Sequence, residues 1–170
     1  AVTLFSCQKK NVDLDFSAEY SPLEVGKKVA ERYLSLPFRD YGTLDSVNPS
    51  QIIYPEVCTW LGALRFADAS DDKNLVSNLE KRYSYLLSER KELLPIPNHV
   101  DNTVFGCIPL ELYRQTNELG YYHTGLDYAD IQWEVPVDTI LPDAVQKMVD
   151  EGLSWQTRFW IDDMYMISML

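Results

Sequence analysis

Apolar residues return every third or fourth position through most of this chain. In KNLVSNLEKRYSYLLSER the set Leu75, Leu79, Tyr83 and Leu86 marks one face of a helix that begins near Asp71. In YPEVCTWLGALRFADA, Val57, Leu61, Leu64 and Ala67 do the same, with Pro55 in the first turn, where its missing N–H costs nothing. PLEVGKKVAERYLS repeats the pattern with Val25, Val29, Tyr33 and Leu34. Ser21 stands where an N-cap belongs, and Glu24 follows three residues on. The spacing predicts further helices in TVFGCIPLELYRQTN, where Pro109 either starts or kinks the regular part, and in YYHTGLDYADIQWE after a break at Gly120. A short piece follows Pro142, and a last helix opens in SWQTRFWIDDMYMISML. No stretch has the alternation and turn chemistry of a substantial sheet. The expectation is an all-α protein, its helices paired into αα-hairpins in two layers, as a bundle or a toroid.

The 170 residues are 46% apolar and include 11 Tyr and 4 Trp, enough to bury a core and too many for a disordered chain. Acidic side chains outnumber basic ones 26 to 15, a formal net charge of -11. Such a surface repels phosphate backbones and anionic membranes, so nucleic acid is not an expected partner. No stretch reaches the length of a membrane span. The three cysteines do not make a disulfide framework. Cys58 and Cys107 lie inside apolar helical patterns and are expected to be buried thiols. Cys7 closes AVTLFSC, which reads as the end of an export segment with the Leu4, Ser6 and Cys7 of a bacterial lipobox, followed by a polar tether. Residues 1–21 are thus expected to be leader remnant and tether, with lipidation at Cys7, and 22–170 the folded domain. That places the protein in a bacterial periplasm or anchored to the outer membrane; a cytoplasmic location is the alternative.

Chemistry is sought first among carboxylates. Asp162 and Asp163 fall in the first turn of the last helix, where orphan amides and the helix dipole favour anions, so capping accounts for one of them. Trp155, Phe159, Trp160, Met164 and Tyr165 surround the pair in sequence. A carboxyl enclosed by aromatics would lose hydration and hold its proton more tightly, as a general acid must. Periodicity turns the two side chains about 100° apart and does not choose between them. Asp101, in PNHVDNTVFG, precedes an apolar helical run and reads as its N-cap. His99 beside it and His123 are the only histidines, so a metal site is not expected. Glu56 reads as first-turn decoration. Trp60, Trp155 and Trp160, with Tyr41, Tyr54 and Tyr165, cluster near helix starts and fit either a core or carbohydrate stacking platforms. Arg158 can pair with an acid of the last helix or meet an anionic ligand. No nucleotide, zinc-hydrolase or nucleophile-elbow motif is present, and no cofactor is implied.

Three stretches, YPEVCTWLGALRFA, NHVDNTVFG and SWQTRFWIDDMYM, resemble the N-terminal half of the unsaturated uronyl hydrolases, glycoside hydrolase families 88 and 105. The likeness is closer to the rhamnogalacturonyl branch of family 105. It implies an (α/α)6 barrel of six hairpins, of which 22–170 would form about half, three hairpins, with the last helix cut short. In that family a Trp, one residue and then an Asp head a helix, and the Asp is the general acid/base. The matching positions here are Trp160 and Asp162. The family's second functional Asp matches Asp101. The resemblance implies Trp160 and, by position only, Trp60 as sugar contacts; His99, Arg158 and Tyr41 are further candidate substrate-binding residues. The substrate class implied is a small oligosaccharide ending in a 4,5-unsaturated uronic acid, attacked by hydration of its double bond. The related glucuronyl hydrolases of glycosaminoglycan fragments, a non-catalytic carbohydrate-binding domain, and a helical scaffold with merely capping aspartates are the alternatives.

Overall fold

The computed structural model describes residues 15–39, 49–158 and 160–170. Regular structure among the described residues is helical throughout. The α-helices are α1 (Pro22–Leu34), α2 (Tyr54–Ala69), α3 (Lys73–Glu89), α4 (Val100–Thr103), α5 (Cys107–Thr116), α6 (Leu119–Ile131), α7 (Asp143–Asp150) and α8 (Ile161–Ser168). Tight 3-10 turns precede α1, follow α3 and join α4 to α5.

Local chemistry sets most of the boundaries. Ser21 caps α1 by accepting the Glu24 amide at 3.2 Å. Asp72, not Asp71, caps α3, accepting the Leu75 amide at 3.0 Å, because Asp71 takes a left-handed φ of 53° and closes the preceding turn. Pro109 sits in the first turn of α5 and starts its regular part. The break after α5 falls at Asn117, left-handed at φ 60°, and Gly120 lies inside α6.

Two hairpins, α2–α3 and α5–α6, pack through α2 against α5, and α1 lies on α2 and α3. The predicted stripes of α2 and α3 are the buried ones: Val57, Leu61, Leu64 and Ala67 face Leu75, Leu79, Tyr83 and Leu86 in one core. An aromatic column runs through it, from Tyr33 to Trp60, Tyr83 and Phe105, and ends on Tyr128 of α6. The α5–α6 crossing is close because two glycines meet there. A Cβ on Gly106 would lie 2.5 Å from the Tyr128 Cβ, and one on Gly125 2.4 Å from Leu110.

Helix α1 departs from its predicted stripe. Ala30 and Tyr33 are buried, whereas Val25 and Val29 are exposed. The helix seats on α2 through its small-residue side, with Gly26 against the Phe66 ring, where a Cβ would come within 2.3 Å. That rotation turns the valines outward. Cys107 is buried as expected, but Cys58 is exposed, since it lines an open groove between α1 and α2. None of the described helices is long and apolar enough to cross a membrane.

Candidate active site

The segment from Pro95 to His99 is irregular and bends from Pro97 on, the Asn98 amide donating back to the Ile96 carbonyl at 2.8 Å. His99 then caps α4, its Nδ1 accepting the Asp101 amide at 3.2 Å. Asp101 is therefore not the N-cap but a first-turn residue. Val100 and Thr103 anchor that turn in the core, and the helical rotation leaves the Asp101 carboxyl at the rim, 33% exposed. Behind it an amide relay fixes the turn: Gln51 donates to Asn102 and Asn102 to Asn98, each at 3.1 Å.

The irregular stretch before α8 is stitched onto this turn. The Trp155 indole donates to the Ile131 carbonyl at 2.8 Å and Ser154 to the Gln132 carbonyl, tying the stretch to the end of α6. Gln156 donates to the Pro97 carbonyl at 3.0 Å. These ties carry Arg158 over α4. Its Nε donates to Asp163 Oδ2 at 2.7 Å and its Nη2 to Asp163 Oδ1 at 2.6 Å, a two-pronged pair. Nη2 also reaches Asp101 Oδ1 at 3.4 Å. Asp163 is wholly buried, one turn before Met166 on the inward face of α8. Hydrogen bonding to Asp163 raises the Arg158 pKa above its ordinary value against the opposing effect of burial, with the charges of Asp163, Asp101 and Asp162 adding to the rise.

The two adjacent aspartates thus differ in kind. Asp163 makes an ion pair. Asp162 is exposed, and its Oδ1 accepts the Asp163 amide at 3.1 Å, which satisfies one of the orphan donors of the helix start. The expected aromatic enclosure of Asp162 is absent from the described side chains. Trp160 is 67% exposed and Tyr165 is exposed, while the Trp155 indole is committed to α6. Burial falls on Asp163 because its side of α8 faces the core, and an arginine offsets its charge there.

Asp101, His99, Arg158, Trp160 and Asp162 come together as one cluster between α4 and α8. Trp60 does not join them. It is fully buried beside Tyr33, Phe38 and Tyr83, so it is a core residue with no face for a sugar. Tyr41, Cys7 and Phe159 lie outside the described residues. Glu56 is not surface decoration: 1% exposed, it accepts from Arg82 at 2.8 Å and from the Tyr33 hydroxyl at 2.6 Å. Sequence reasoning misses that second cluster and the amide relay behind Asp101. Neither has a local spacing to betray it, since Glu56 and Arg82 stand on different helices.

Chemically, the α4–α8 cluster offers a free carboxylate at a helix head, a second carboxylate beside a guanidinium, and an exposed indole. It lies on an open face. Concavities of about 440 Å³ run elsewhere, along α1: one is lined by Val29, Tyr33, Cys58 and Phe66, another by Leu23, Lys27 and Asp72. No protein-family model, curated protein or solved structure matches this chain. The described residues thus form an all-helical fold that carries an exposed group of carboxylates, an arginine and an indole between α4 and α8.

Proposed function

We propose that this cluster is the acid site of an unsaturated uronyl hydrolase, most closely of the rhamnogalacturonyl type, built on hairpins of an (α/α)6 barrel. The observation that supports the reading is the meeting of Asp101 with the head of α8. Arg158 bridges them across a sequence separation of 57 residues, and these are two of the three stretches that carry the resemblance. On this reading the protonated Asp162 gives its proton to C4 of the unsaturated uronate, and the electrons of the double bond form the new C–H bond. Positive charge develops at C5, shared by the ring oxygen. The Asp162 carboxylate then takes a proton from water as the water oxygen bonds to C5, which restores the acid. The hemiketal so formed opens and the partner sugar leaves. Asp101 holds substrate or water, and Trp160 offers its face to the sugar ring. The glucuronyl hydrolases of glycosaminoglycan fragments share this chemistry and differ in the leaving sugar.

One observation favours a second reading, a non-catalytic carbohydrate-binding domain. Asp162 is exposed, and among the described side chains nothing shelters it from water as a closed reaction site would. One assay separates the two. Full-length protein is incubated with lyase-generated oligosaccharides while the ultraviolet absorbance of the conjugated enol-ether carboxylate is followed. The enzyme reading expects decay that Asp162→Asn slows by about 10²–10⁴-fold, with the thermal midpoint held. Absorbance that persists with the native protein while the sugar binds leaves only the binding domain. Decay undiminished in Asp162→Asn removes Asp162 from the chemistry.

A further inference from the structure

Arg158 is only partly spent. A guanidinium presents N–H donors on three nitrogens in a rigid fork. Here Nε and Nη2 are committed to Asp163, and Nη2 also reaches Asp101, whereas Nη1 meets no acceptor among the described residues. The carboxylate that fixes the fork is fully buried, yet the Arg158 side chain is 41% exposed. Its free edge therefore faces solvent while its back is locked. The exposed Trp160 ring lies alongside, its centroid 5.8 Å from the guanidinium carbon.

We infer that this free edge, held from behind by Asp163 and flanked by Trp160, is the receptor for the carboxylate of an acidic sugar. The inference rests on the sugar site proposed above and adds the group that selects acidic over neutral sugars. Two oxygens of a carboxylate match the in-plane fork of an arginine, which a hydroxyl or an ester cannot do. Asp163 has already fixed the side chain, so binding need not order it afresh. The contact to Asp101, at 3.4 Å, is the long one of the three, so Nη2 can turn to a ligand without breaking the lock. The ring then covers an apolar face of the sugar. Asp101 and Asp162 lie at the rim, and the whole chain carries -11. Long-range attraction therefore does not draw an anion here, and selection must come from contact with the fork.

The test follows the Arg158 Nε–H and Trp160 indole resonances of the full chain during titration with D-galacturonate, its methyl ester, D-galactose and acetate. The inference expects galacturonate to move both resonances and to bind about tenfold or more tightly than the ester. Arg158→Lys, which keeps charge and loses the fork, should shrink that preference. In Arg158→Met/Asp163→Leu, which removes both charges and so leaves none buried alone, acid and ester should bind alike. Equal affinity for acid and ester in the native protein overturns the inference, as does no binding, or a preference that survives the double variant. Acetate matching galacturonate with Trp160 unmoved also overturns it, since the edge is then a plain anion site. Acid preference without hydrolysis of unsaturated uronate would leave the receptor standing and remove the enzyme. Asp162-dependent hydrolysis with no Arg158-dependent preference would do the reverse.

Discussion

Arg82 and Arg158 each meet a buried carboxylate, and they end in opposite states. Arg82 is 9% exposed and its partner Glu56 1%. All three of its nitrogens are occupied: Nη2 by Glu56, Nε by the Tyr33 hydroxyl and Nη1 by the Leu36 carbonyl. Aromatic rings close over it, Phe38 at 4.1 Å and Tyr33 at 4.6 Å from the guanidinium carbon. Arg158 grips its carboxylate through two nitrogens but keeps the third, and one face, in water. The difference lies in enclosure. An ion pair sealed on all sides locks α1, α2 and α3 together; one sealed on a single side leaves bonding capacity for something else.

The tryptophans give the largest expected contrast between the two regions. Trp60→Ala, in the closed core, should cost about 3–5 kcal/mol of stability, while Trp160→Ala, on the open face, should stay within about 0.5 kcal/mol. Chemical denaturation of the two variants checks this, and a large loss at Trp160 would mean that its face is packed. The arginines come next. Arg82→Met leaves Glu56 charged in a dry setting and should cost about 3–5 kcal/mol. Arg158→Met should cost less, about 1–3 kcal/mol, because water already reaches the arginine and would follow into its place. Equal losses would erase the distinction between sealed and open pairs.

The smallest effect is a pH dependence belonging to the closed region. Burial pushes the Tyr33 and Tyr83 phenols above their ordinary value and that of Tyr128 up to about 12. Burial likewise pushes the Cys107 thiol up to about 12. An unfolded chain loses these protons from about pH 8.5 for the thiol and about pH 10 for the phenols. Above those values the unfolded state binds fewer protons than the native one, so stability falls as pH rises. Thermal melts should be level from about pH 7 to 8.5, decline gently, then steepen above about pH 10. A flat profile to about pH 11 would show the core phenols to be open to water.

Most of the helices are legible in the sequence. The stripes of α2 and α3, the Ser21 cap and the short helix after Pro142 depend on interactions within a few residues, and local spacing records those. Val25 and Val29 mislead because two faces of α1 are apolar, and only the Gly26–Phe66 contact decides which is buried. Trp60 passes for a sugar contact because position near a helix start says nothing about depth. The α8 head is half legible. Two charges in a first turn are visible in the sequence, but their division of labour is not.

The sequence by itself determined an all-helical chain, its acidity, and the residue types gathered around Asp101 and the α8 head. The tertiary structure decided which aspartate is buried, which arginine is sealed, and that Asp101 faces Arg158. Periodicity and capping act through bonds between near neighbours, so the chain spells them out. Burial and pairing depend on distant residues such as Asp101 and Arg158, 57 positions apart, brought together by Gln156 on Pro97 and Trp155 on α6. No local pattern encodes those contacts.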